Sequence, residues 1–141
     1  MKKIAAWRES VRVVRAESMS EAMAETGRAT AFDFVGTGGK KTWIGGVTLV
    51  GGACTGAHHH GRHEVVIFVT KGRTEIRWGE RLEFAAQAGV GDFVYFAPYV
   101  PHQELNLNAI ESVGFVVVRS DNQKLVFKLD VDPVERPEKV Y

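Results

Sequence analysis

A chain of 141 residues, 45% hydrophobic and 25% charged, has room for one domain with its own core and none for a second. Its 18 lysines and arginines nearly balance 17 acids and are scattered along the sequence, which argues against nucleic acid or membrane lipid as a partner. The lone Cys54 excludes an internal disulfide and fits a reducing cytoplasm, and no apolar run reaches the roughly 20 residues of a spanning helix or forms a signal-peptide core.

In chain order, the first β-type run covers 10–16. Ser18 and Glu21 then form a capping box and Gly27 supplies a stop, which predicts one short helix. A second run at 31–35 leads into a glycine-rich loop over 36–41. Runs at 42–50, 64–70, 74–78, 93–96, 102–107, 112–118 and 124–129 follow, with Gly72 and Gly79 at hairpin tips. Short strands at such spacing predict an all-β sandwich or barrel. Residues 1–40 read as an N-terminal extension, 41–129 as the barrel, and 130–141 as a charged, proline-containing tail that packs loosely or reaches a partner. The runs at 65–69 and 113–118 are apolar at both parities, so both faces should be covered. A homodimer or the N-terminal segment would supply the cover.

Four of the five histidines fall in the stretch 58–63. On an extended strand, residues two apart share a face, so His58 and His60 point together. Glu64 has their parity, whereas His59 and His63 have the opposite one and should face elsewhere. Two imidazoles and a carboxylate suit a borderline divalent ion, and the distant His102, which opens a strand after the turn 97–101, can complete the set. Such a set leaves positions open for water or substrate. Zinc, iron, manganese, nickel and copper all suit it.

These residues resemble the two motifs of the cupin superfamily. The first motif, glycine, five residues, HxH, three or four residues, glutamate, six residues, glycine, is met by Gly52, His58, His60 and Glu64, with Gly72 one residue late. The second motif, glycine, five residues, PxG, two residues, histidine, three residues, asparagine, is met by His102 and Asn106. Ala97 stands at its proline and Tyr99 at its glycine. A positive φ is costly for tyrosine, so a reshaped turn is expected there. The resemblance covers about residues 43–120 and implies a double-stranded β-helix, or jelly-roll, barrel like that of small single-domain metal-binding cupins grouped as mannose-6-phosphate isomerase-like.

A metal with open positions in a barrel acts as a Lewis acid, as in isomerases and polyketide cyclases, or binds dioxygen, as the resemblance to cupin dioxygenases implies. The expected function is therefore a metal-dependent enzyme for a small oxygenated organic molecule. The alternative is a barrel that binds a small molecule or metal without turnover, as a sensor or store. Glu104 shares the parity of His102 and is the candidate catalytic base or partner of a ligand imidazole. Phe68, at the parity of Glu64, is expected in the pocket, with Trp43, Trp78, Tyr95, Phe96 and Phe115 as candidates for an aromatic lining that suits a flat substrate, and Tyr99 over its mouth.

Overall fold

The computed structural model describes residues 7, 8, 10–15, 28–32 (as backbone), 39–121, 123 and 126–141. The helix expected over 18–27 lies outside the described residues, as do positions 33–35 of the second run. Residues 10–15 carry no strand; Val11 and Val13 are exposed and bury no face that would reward pairing. No helix among the described residues is long and apolar enough to cross a membrane.

The described residues form eleven strands: β1 (Arg28–Phe32), β2 (Trp43–Leu49), β3 (His58–His59), β4 (Val65–Lys71), β5 (Arg73–Trp78), β6 (Phe84–Gly89), β7 (Phe93–Phe96), β8 (His102–Leu105), β9 (Val113–Arg119), β10 (Phe127–Lys128) and β11 (Glu138–Lys139). They make two sheets, β1-β2-β9-β4-β7 and β10-β3-β8-β5-β6-β11. Every pairing is antiparallel except β11 on β6. This is the double-stranded β-helix arrangement, in which two sheets face each other over one core.

Strict alternation makes the core. Along β2, β4 and β9 every second residue is buried, and Val47, Leu49, Val65, Ile67, Val113, Phe115 and Val117 pack between the sheets with Ile76 and Phe96. Each such side chain contributes about 1.5–3 kcal/mol by leaving water. The opposite parity of β4 and β9 is only half-buried, and Phe93 and Tyr95 of β7 are exposed on the same outer side.

Two departures from the motif spacing have visible consequences. The extra residue before Gly72 is absorbed by a bulge, since the β4–β9 register shifts between Val69 and Lys71. Gly72 keeps its turn at φ +70°, where a Cβ would meet the Ser112 carbonyl oxygen at 2.9 Å. The turn at Tyr99 is not reshaped: the tyrosine itself takes φ +62°, held by its amide donating to the Gly61 carbonyl at 2.8 Å.

Two strands escaped the sequence reading. The run Phe84–Gly89 is rich in alanine and glycine, with none of the β-branched residues that signal a strand. β11 lies in the segment expected to pack loosely. It instead adds to the edge of β6 through Glu138 and Val140 amides donating to the Glu83 and Ala85 carbonyls at 2.7 and 2.9 Å.

Candidate metal centre

The segment 53–58 runs back along β8, and that pairing builds the site. Cys54 bridges Leu105, the Asn106 amide donates to the Ala53 carbonyl at 2.9 Å, and His58 stands directly opposite His102. Asn106, the last residue of the second motif, is buried and pins the neighbouring loops: its amide nitrogen donates to the carbonyls of Leu49, Val50 and Glu111 at 2.7–3.1 Å. A buried amide with all donors satisfied fixes one arrangement of chain.

His58, His60 and His102 converge, each buried, with one ring nitrogen of each within 4.8 Å of the others. The tautomers follow from the backbone. His58 Nδ1 lies 2.7 Å from the Gly56 carbonyl and His102 Nδ1 lies 2.9 Å from the Val100 carbonyl, so each Nδ1 carries the proton and each Nε2 turns a lone pair inward. His102 Nε2 is buried and has no hydrogen-bond partner among the described residues. An inward lone pair of this kind, in a set of three neutral imidazoles, fits a divalent transition ion.

The acid beside the triad is Glu104 rather than Glu64. Glu104 is buried, with Oε2 3.9 Å from His58 Nε2 and Oε1 3.7 Å from His102 Nε2. Thr55 holds it twice: the hydroxyl donates to Oε2 at 2.8 Å and accepts from the Glu104 amide at 3.0 Å. Burial pushes this carboxyl up, but the positive charge that His102 and His58 carry when protonated, with the Thr55 hydrogen bond and His60, outweighs it and holds the carboxyl below the ordinary carboxylate range.

Glu64 stands on the outer face, exposed, and accepts a 2.6 Å hydrogen bond from the Tyr95 hydroxyl, whose own pKa is raised by that bond. The parity argument assumed one continuous strand from His58 to Glu64. That strand stops after His59; Gly61 turns at φ +59° and the His63 amide donates to the His60 carbonyl at 3.2 Å. The register therefore resets before β4, and Glu64 leaves the inner face. Phe68 goes with it, packing on Phe93 at a ring separation of 4.7 Å outside the barrel. The same turn buries His63, which is 1% exposed and stands apart from the triad.

Trp43 is in the core, with the Arg119 guanidinium 4.2 Å from its ring centre. Tyr99 is exposed and its ring lies 5.9 Å from that of His59, which also stacks on Phe127. Of the aromatic residues considered for the pocket lining, Trp78 and Phe96 flank the triad. Phe96 packs its ring 4.3 Å from that of His102, and Trp78 is the cross-strand partner of His102. Both line a cavity of about 230 Å³ with Ile76, Ala86, Ala88 and Val94. The unread strand β6 supplies the alanines that leave this space open.

Neither a protein-family model nor a curated protein matches the sequence. Solved structures do match. The polyketide cyclase RemF from Streptomyces resistomycificus superposes with a TM-score of 0.72 over 90% of this chain and 89% of its own, at 16% identity. The chain has the cupin fold. A double-stranded β-helix protein from Klebsiella pneumoniae superposes on it at 0.62 over 87% of the chain and 93% of its own, also at 16% identity. Oxalate decarboxylase from Bacillus subtilis does so at 0.63 and 20% identity over 72% of the chain. The chain spans only 27% of that decarboxylase and 46% of an oxalate oxidase. At these identities the likeness is one of fold.

Proposed function

We propose that this cupin is a metal-dependent enzyme acting on a small oxygenated organic molecule. One divalent transition metal would be held by His58, His60 and His102, with Glu104 as the carboxylate of the set. The observation that carries the reading is the convergence of three buried imidazoles on one point, beside a buried carboxylate fixed by Thr55. Beside these four ligands, an ion that takes five or six would keep positions open for substrate, whereas one that closes a tetrahedron would not. A bound divalent ion supplies Lewis acidity at a substrate oxygen, or dioxygen chemistry if it is redox-active.

The chain's own groups do the rest. Gly56 and Val100 carbonyls orient the imidazoles, Thr55 holds Glu104 in place, and Phe96 excludes water from one side of His102. RemF, whose length this chain matches almost completely, is a polyketide cyclase, and that favours Lewis-acid cyclisation or isomerisation over oxygen chemistry.

Elemental analysis of protein purified without metal-leaching resin should give about one transition ion per chain, and His58→Ala, His60→Ala and His102→Ala should each lose it. Turnover of cyclic or enolisable ketones should vanish with the ion. Full occupancy in all three variants would overturn the centre. Saturable ligand binding with no turnover would instead favour a sensor or storage barrel.

A further inference from the structure

The cavity beside His102 has an unusual wall. Trp78 and Tyr141 both line it, their rings 21° from parallel with centroids 6.5 Å apart. Two rings at that separation can touch directly if strongly offset. Here they do not: Tyr141 is 96% exposed, so neither of its faces is covered. Atoms in van der Waals contact lie about 3.5–4 Å apart, so one flat ring between two others needs roughly 7 Å. The space between Trp78 and Tyr141 is close to that.

The ring of Tyr141 is nevertheless placed by the fold. The preceding residues are fastened as β11 along β6, and Arg81 ties the approach through its backbone carbonyl accepting from Val134 at 3.0 Å and its side chain donating to the Asp132 carbonyl at 3.1 Å. On its other side, Trp78 is backed by Phe84, 5.9 Å away ring to ring. The slot thus has two positioned aromatic faces and a floor of Ile76, Ala86 and Ala88.

The polar groups at its rim are already engaged. The Gln87 side-chain oxygen accepts from Arg73 at 2.9 Å and the Tyr95 hydroxyl donates to Glu64. Among the described residues no charged side chain lines the slot itself. Arg73, Glu75 and Lys139 line an adjoining pocket that shares Ala86, Gln87 and Tyr141 with it, so a charged ligand within the slot would lose hydration without a direct partner. An uncharged, flat, conjugated ring would keep its π faces against two aromatic side chains.

We propose that the slot between Trp78 and Tyr141 is a binding site for an uncharged planar conjugated ring, which it presents edge-on toward His102. The register puts Trp78 opposite His102, so a ring stacked on Trp78 lies one strand away from the triad. This names the substrate class of the function proposed above and rests on it for its catalytic meaning, although the binding itself needs no metal. Trp78 and Tyr141 are then specificity-determining residues, and β11 is the element that delivers one of them.

The test titrates metal-free and metal-loaded protein with 2-naphthol and with decahydro-2-naphthol, which has the same carbon framework but is puckered, by saturation-transfer NMR and calorimetry. The planar compound should bind saturably to both forms, and the saturated one at least tenfold more weakly. Tyr141→Ala, at an exposed position that cannot unfold the barrel by leaving a void, should weaken 2-naphthol about three- to tenfold, and Tyr141→Phe should restore it. Equal affinity for the two compounds, or Tyr141→Ala binding like the parent, would overturn the slot. Tight 2-naphthol binding by a protein that holds no metal and turns nothing over would sink the enzymatic reading and leave the slot standing.

Discussion

Glu64 and Glu104 each sit next to a histidine at the end of a strand, and their fates are opposite. Glu104 is two residues from His102 along an unbroken strand, so it shares that imidazole's face and is buried with it. Glu64 is four residues from His60, an even spacing as well, but a turn at Gly61 intervenes and the carboxylate ends outside on Tyr95. Parity carries a side chain only as far as the strand that defines it. The carboxylate that a motif's spacing marks and the carboxylate that reaches the centre are in this chain two different residues.

The sharpest way to break that comparison is to neutralise each acid in turn. Glu104→Gln should weaken metal binding at least tenfold, because it removes the charge beside two ligand nitrogens and leaves Thr55 donating to an amide. Glu64→Gln should leave metal content unchanged and weaken only an exposed hydrogen bond to Tyr95, for which water competes, so the urea midpoint should barely move. Competition titration with a chromogenic chelator reads the first, and urea unfolding of metal-free protein reads the second. Loss of metal in Glu64→Gln with retention in Glu104→Gln would reinstate the motif's acid.

What was legible in the sequence follows the same line. His58, His60 and His102 were identifiable because one pair lies within a single short extended stretch and the third opens its own strand, so no turn had to be read to align them. Strands β2, β4, β5, β7 and β9 announced themselves through β-branched and aromatic runs, and β8 through its place after the proline turn at 97–101. Illegible were the strand Phe84–Gly89, whose alanines look like neither strand nor core, and the aromatic slot that those alanines make possible. Glu64 and Phe68 went wrong together, since both depend on the one turn at Gly61.

A second turn separates the two regions in energy rather than in register. Tyr99 precedes β8 in a left-handed conformation that costs a non-glycine residue about 1–2 kcal/mol, whereas Gly61 adopts its positive φ freely. Tyr99→Gly should relieve that strain and give back roughly 0.5–1 kcal/mol in chain entropy, a net gain of up to about 1 kcal/mol. Thermal unfolding of metal-free protein should shift upward by a few degrees, with metal content unchanged. A lower midpoint would mean that the ring's approach to His59 holds the turn more firmly than the strain loosens it.

The smallest effect concerns His63, the residue that the Gly61 turn sends into the interior without joining the triad. Burial lowers its pKa below the ordinary 6.5; Asp121 pulls the other way, and Arg62 and Arg119 add to the lowering. The folded protein thus prefers this imidazole neutral, while the unfolded chain takes up a proton near 6.5. Its contribution to stability is fully present above that value and is lost as the pH falls toward the lowered folded value. Urea midpoints of metal-free protein followed from pH 7.5 down to 5 should fall less steeply in His63→Gln than in the parent. Identical slopes would mean that His63 takes its proton as readily folded as unfolded, with Asp121 cancelling the cost of burial.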